Sequence, residues 1–378
     1  MRIIVCPGSF KECLSPANAA RQIENGLKNS GLTAKICVLP LADGGRGTVD
    51  IILKNIPGRR VKLKVTGPIG KPVEAAYALI ERGKAAVIEM SSASGLELLE
   101  PVERNPLKTT SYGTGQLIKD ALRNGCKKIV VGLGDSATVD GGVGMAAALG
   151  VRFLNSKGKS IGQGGGELAK IKKADVSKMD RRVNGAEIIA ACDVKNTILG
   201  RRGAARVYGP QKGATPAMVK VFERGLANFA RVIKKDLGRD VTRIPGGGAA
   251  GGMGAGLAAF LNAEIKSGFE ITAEVLNLEK ILAGCDIVIT GEGKIDSQTF
   301  RGKTVAGVLK TAKKYDKPVI CLAGTVEETS GAEGNVSFFS ITPGAVSLKE
   351  ALSGAPDNLF KTALNIGRLL KIKPFGKN

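Results

Sequence analysis

Both ends of the chain alternate short apolar runs with amphipathic stretches that open on capping residues, and this rhythm constrains the fold more than any other feature. "RIIVCP" (2–7) reads as a buried strand ending in proline. Ser15 and Pro16 then open a helix, "SPANAARQIENGLKNSG", because a serine hydroxyl satisfies early amides and proline suits the first turn. "AKICVLPL" is the next strand and "GTVDIILKN" the next helix. Near the other end "DIVITGEG", a helix from about 302, "KPVICLAG", "VSFFSI" and a closing helix over 357–371 repeat the pattern. Strands alternating with helices predict a parallel sheet with helices on its faces.

The middle of the chain reads differently. "VKLKVTGP" alternates apolar and charged residues, as a half-exposed strand does, and "AAYALI" and "AAVIEM" look like its antiparallel partners. "GTGQLIKDALRNG" is a helix stopped by Gly125, "KKIVVGL" and "AEIIAACDV" are strands, and "TPAMVKVFERGLANFARVIKKDLG" is a long helix capped by Thr215. The expectation is a discontinuous α/β domain over 1–65 and 285–378, with a second α/β domain, 66–284, inserted between its halves.

Composition narrows the chemistry. The 378 residues suit two cores, and the longest apolar runs fall far short of the ~20 residues of a membrane span. The N-terminus enters an apolar strand at once, without a signal-peptide cleavage pattern, so the protein reads as cytoplasmic. Seven scattered cysteines with no CxxC pair read as reduced core residues. The net charge of +22 is spread along the chain with few aromatics, which fits a lysine-rich surface suited to anionic small molecules better than a nucleic-acid groove. The absence of histidine excludes imidazole bases and His-metal sites, leaving Asp, Glu, Lys, Cys or Tyr for proton transfer and oxygen donors, hence Mg²⁺, for any metal.

Six polar, glycine-rich stretches follow strand ends: "PGSFKECLS" (7–15), "ADGGRGT" (42–48), "GLGDSATVDGG" (132–142), "CDVKNT" with "GPQKGA" (192–214), "GGGAAGGMG" (246–254) and "TGEGKIDSQT" (290–299). Ligands of open α/β sheets bind at the carboxyl ends of strands, where glycines let amides approach phosphate oxygens. "GLGDSA" imitates a dinucleotide fingerprint but lacks the acidic residue ~20 positions on. "SQTFRGKT" imitates a P-loop, with Ser297 where the first glycine belongs.

Taken in order, these stretches resemble the class I glycerate kinase family. The resemblance rests on "SFK" with "LS" (9–15), "ADGG-GT" (42–48), "TGP-G" (66–70), "SASGL" (92–96), "RNPLKTTSYGTG" (104–115), "SATVDGG" (136–142), "CDV" (192–194), "GPQKGATP" (209–216), "GGGAAGGMG" and "TGEGKIDSQT". It implies two α/β domains around a cleft, one of them Rossmann-like, and transfer of the ATP γ-phosphoryl group to D-glycerate with Mg²⁺, giving 2-phosphoglycerate. A homodimer is compatible with it, and neither nucleic acid nor membrane is implied as a partner.

Phosphoryl transfer needs carboxylates for Mg²⁺, cations for phosphate and carboxylate groups, and a base near the attacking hydroxyl. The residues that suit these roles are Asp43, Asp193 and Asp296 as a carboxylate cluster, with Glu292 as a further metal candidate. Lys11 and Lys212 suit phosphate or carboxylate contacts, and the amides of Gly246, Gly247 and Gly248 a phosphate cradle. Ser9, Ser136, Thr138, Asp140 and Lys303 are expected to line the same cleft. Four positions depart from the family pattern: Gly8 for Asp, Arg46 for Glu, Lys195 where an acid is common and Asp135 where Gly is. Arg46 suits a carboxylate or phosphate, since its fork donates two parallel bonds. The departures leave two alternatives open: a relative that binds nucleotide or glycerate with little turnover, and a kinase of another small hydroxy acid.

Overall fold

The computed structural model describes residues 1–10, 13–41, 44–296, 299–301, 304–327, 329, 332 and 334–372. The chain is α/β and divides into two compact units, Met1–Asp43 with Phe269–Asn378, and Gly44–Gly268. Its strands are β1 (Arg2–Val5), β2 (Lys35–Val38), β3 (Gly58–Thr66), β4 (Pro72–Ile80), β5 (Ala85–Glu89), β6 (Lys128–Gly132), β7 (Arg152–Leu154), β8 (Lys173–Asp175), β9 (Glu187–Ala191), β10 (Glu264–Lys266), β11 (Ile287–Ile295), β12 (Val319–Val326) and β13 (Val336–Ser340).

The discontinuous unit holds a parallel sheet in the order β13-β12-β11-β1-β2. Strands from opposite ends of the chain meet at its centre, with Ile3 beside Ile287 and Val5 beside Ile289. The helices Pro16–Asn29 and Leu348–Leu369 pack together, and their Ile23, Leu27, Leu359 and Ile366 join Ile3, Val5 and Ile289 in one core. The Ser15 hydroxyl accepts the Asn18 N–H at 3.3 Å. The closing helix begins before the expected 357, because Ser347 and Glu350 form a capping box upstream and Pro356 lies inside the helix rather than at its first turn.

The continuous unit holds a six-stranded sheet, β10-β9-β6-β5-β4-β3, parallel from β10 to β5 and antiparallel through β4 and β3. Short strands β7 and β8 form a separate antiparallel pair. Leu117, Ile129, Val131, Phe222, Phe229, Met253 and Leu257 belong to one large buried cluster. Thr215 caps the helix Pro216–Leu237 by accepting the Met218 N–H at 3.3 Å.

The units divide at 43/44 and 268/269 rather than at 65/66 and 284/285. The helix Thr48–Asn55, expected with the first domain, belongs to the second sheet through the bond of its Val49 N–H to Glu89, and β3 extends that sheet beside β4. Phe269 belongs with the discontinuous unit, where its ring lies against Gly307. All seven cysteines are free thiols, and no helix among the described residues is long and apolar enough to cross a membrane.

Candidate functional site

In the continuous unit Ser136, Thr138 and Asp140 lie on the loop that leaves the carboxyl end of β6, and Asp193 on the one that leaves β9. Segment 136–142 is stitched by Asp140, a carboxylate shut away from water. Its Oδ2 accepts the Ser111 N–H and Ser111 Oγ–H, each at 2.8 Å, and the Gly144 N–H at 3.3 Å, while its Oδ1 accepts the Gly142 N–H at 3.1 Å. Burial raises its pKa against the pull of these donors, chiefly the Ser111 pair. Asp140 therefore organises the loop internally and is not a cleft-lining contact. Sequence reasoning passed over Ser111, whose hydroxyl also accepts the Met145 N–H at 2.9 Å, although "TTSYGTG" carried the signal as a run of hydroxyls before a helix.

Lys212 lies in a one-turn helix, Pro210–Lys212, closed by Gly213 in the left-handed region. It is 2% exposed. Its ammonium donates to Ser136 Oγ and to the Thr138 carbonyl, each at 2.7 Å, so it clamps the 209–214 turn to the 136–142 loop. Burial pulls its pKa down to about 7, with the charge of Asp140 opposing. Ser136 and Thr138 are buried with it. Lys212 is thus an interior cation bonded to neutral oxygens, where the sequence suggested a phosphate or carboxylate contact.

The glycine cradle is not free to serve as one. The Gly247 N–H donates to the Ile244 carbonyl at 3.0 Å and the Gly248 N–H to the Asn196 carbonyl at 2.8 Å. A Cβ on Gly248 would stand 2.2 Å from the Thr197 carbonyl oxygen, and one on Gly246 2.8 Å from the Ile265 side chain. These glycines allow close packing at the entrance to the helix Ala249–Leu261.

Asp193, half-buried just beyond β9, accepts the Ser267 Oγ–H at 2.6 Å and the Gly268 N–H at 2.9 Å. Arg46 is exposed and ion-paired with Glu97. The Arg46 N–H donates to Asp135 Oδ2 at 3.2 Å, and Asp135 has φ of 55°, a conformation glycine adopts more easily. Two departures from the family pattern thus bond to each other. Glu89 was also missed: its carboxylate accepts the Val49 N–H at 2.7 Å at the start of the helix Thr48–Asn55, and burial raises its pKa. Being remote in sequence, it left no local signal.

In the discontinuous unit, Ser9 and the preceding residues follow β1 along β11, with the Gly8 N–H donating to the Gly291 carbonyl at 2.9 Å. Asp296, just past β11, accepts the Thr299 N–H through Oδ1 at 3.2 Å and lies 4.0 Å from the Lys294 ammonium. Glu292 stands four residues earlier on the same strand, opposite Ala323. Four residues of extended chain, at about 3.3 Å each, separate the two carboxylates along the backbone. No group of three or more carboxylates or thiols among the described residues is placed to hold a metal. Mg²⁺ commonly takes only one or two carboxylates beside waters and phosphate oxygens, and Asp296 fits that smaller demand. Lys11, Asp43 and Lys303 lie outside the described residues.

Comparison with known proteins supplies the frame for these sites. Residues 3–371 match the model of the glycerate kinase family. The chain is 47% identical to a glycerate kinase of Halalkalibacterium halodurans, over 96% of this chain and 97% of the relative. It is 46% identical to a glycerate 2-kinase of Escherichia coli, over 98% of each. A crystal structure from Salmonella typhimurium LT2, provisionally named glycerate kinase 2, superposes with a TM-score of 0.82 at 46% identity, covering 98% of both chains.

Proposed function

We propose, on the premise that the chain belongs to the glycerate kinase family, that it transfers the γ-phosphoryl group of ATP to D-glycerate and yields 2-phosphoglycerate. The observation that carries this reading is 46% identity to a glycerate 2-kinase along 98% of both chains. The local geometry supports it. Phosphoryl transfer asks a protein for positioning and charge neutralisation, and the loops after the parallel strands offer carboxylates, cations and hydroxyls without needing histidine.

In this reading Asp43 and Asp193 orient the glycerate hydroxyl, Lys11, Lys303 and Ser9 meet phosphate, and Arg46 meets a substrate anion. Asp296 would hold Mg²⁺, which when bound neutralises the charge of the phosphate oxygens. The reading takes the protein to be a cytoplasmic small-molecule enzyme. One observation favours a slower variant of the same enzyme: Glu97 already pairs the Arg46 guanidinium.

The test is the initial rate of ADP release with D-glycerate and Mg²⁺ each present or withheld. The reading requires a rate that needs both. A background ATPase indifferent to saturating glycerate would refute it. If the Arg46–Glu97 pair limits turnover, Arg46→Glu raises kcat, and an unchanged or lower kcat removes the slow-enzyme reading.

A further inference from the structure

Asp193 lies just beyond β9 and is held by donors that come from far along the chain. The Ser267 Oγ–H and the Gly268 N–H, 74 and 75 residues later, both reach its Oδ1, at 2.6 Å and 2.9 Å. Hydrogen bonds of this kind to an ionised carboxylate are shorter and roughly twice as strong as neutral ones. Two donors converging on one oxygen also fix the terminal torsion of the aspartate, which is otherwise broad. The donors sit where they do because Ser267 directly follows β10, the strand beside β9.

Backbone bonds already hold the chain here. Ala191 pairs with Lys266 across β9 and β10, and the Cys192 N–H donates to the Lys266 carbonyl at 2.8 Å. The Cys192 thiol donates to the Val194 carbonyl at 3.3 Å, and Gly246 packs on that same carbonyl, where a Cβ would stand 3.2 Å from the oxygen. Serines that only shape a turn bond neighbouring backbone groups. The Ser267 hydroxyl instead crosses to a carboxylate on the adjacent strand's loop, so what it adds is a direction for that one side chain.

We propose that Ser267 is a positioning residue for phosphoryl transfer: with the Gly268 amide it holds the Asp193 carboxylate in the orientation that addresses the hydroxyl of D-glycerate. The assignment rests on the kinase reading above, in which Asp193 orients that hydroxyl. Transfer depends steeply on the geometry of attack, and a misplacement of about 1 Å can cost on the order of 100-fold in rate. A carboxylate released to swing between rotamers is aimed at the hydroxyl for only part of the time. The loss therefore falls on kcat, while nucleotide binding is untouched.

Steady-state kinetics of the full-length protein with ATP, Mg²⁺ and D-glycerate test this, each variant being assayed well below its thermal midpoint. Ser267→Ala is expected to lower kcat about tenfold while KM for ATP stays within about twofold of wild type. Ser267→Thr keeps the hydroxyl and should restore kcat to within about threefold of wild type. In an Asp193→Ala background the serine has no carboxylate left to hold, so adding Ser267→Ala should change the residual rate by less than about twofold. A kcat for Ser267→Ala that matches wild type, an equal loss in Ser267→Ala and Ser267→Thr, or an undiminished loss in the Asp193→Ala background overturns the assignment while leaving the kinase reading standing. Absence of glycerate-dependent ADP release from the wild type overturns both.

Discussion

Lys212 has the ionisation behaviour of a group folded against its preference. Its native pKa of about 7 lies below the unfolded value near 10.4, so between these pH values the unfolded chain binds the extra proton. Stability should therefore rise with pH across that window, with the cost of burying the charge fully present below pH 7. The check is urea unfolding of wild type and Lys212→Met from pH 6 to pH 10, where the difference between them should shrink or reverse as pH rises. A parallel pair of curves would refute it. Asp140 is the complementary case. Asp140→Ala strands four donors inside the loop, from Ser111, Gly142 and Gly144, and should cost about 3 kcal/mol or more in the same measurement. At this scale the sequence was only half legible. Ser15 and Thr215 declare their roles because a cap and the amide it accepts lie within one turn. Lys212 in "PQKG" reads as a surface turn, since its burial is imposed by a loop some seventy residues earlier, and Glu89 caps a helix forty residues away.

Elements followed periodicity where apolar spacing was regular. The expected strands and the long helix from Pro216 appear where alternation and 3.6-residue spacing placed them. Two elements differ from expectation. Glycines at 246–254 suggested a phosphate cradle, yet three of the six lie inside the helix Ala249–Leu261, whose second to fourth residues turn left-handed at φ of 52°, 69° and 93°. The closing helix was expected from 357, yet Ser347 and Glu350 had already begun it upstream. That closing helix also gives an element-scale prediction. Gly26→Ala gains about 1 kcal/mol of helix propensity. Its new Cβ would meet the Phe360 carbonyl oxygen at 2.4 Å and Ala363 Cβ at 2.7 Å, and prising the two helices apart costs roughly 1–3 kcal/mol. Packing should win, so the variant unfolds at lower urea than wild type. A raised midpoint would mean that the two helices do not pack as described.

At the scale of the molecule, continuity of chain decides which part can fold alone. The unit Gly44–Gly268 is a single stretch with its own sheet and buried cluster. Its neighbour needs β1 from one end and β11 to β13 from the other. A chain of residues 44–268 should therefore unfold cooperatively in urea, while residues 1–43 alone show no cooperative transition. Non-cooperative melting of 44–268 would contradict the division. The nested topology was visible in the likeness between the two ends of the chain. The crossing points were not, because helix 48–55 continues the alternation of the first unit while packing on the second. Every functional assignment depends on phosphoryl transfer to glycerate, and ³¹P NMR of a reaction containing ATP, Mg²⁺ and D-glycerate reads that product directly. The account predicts growth of the resonance of a phosphate ester on the C2 oxygen as ATP declines. Inorganic phosphate alone, accumulating at the same rate with or without glycerate, would contradict it.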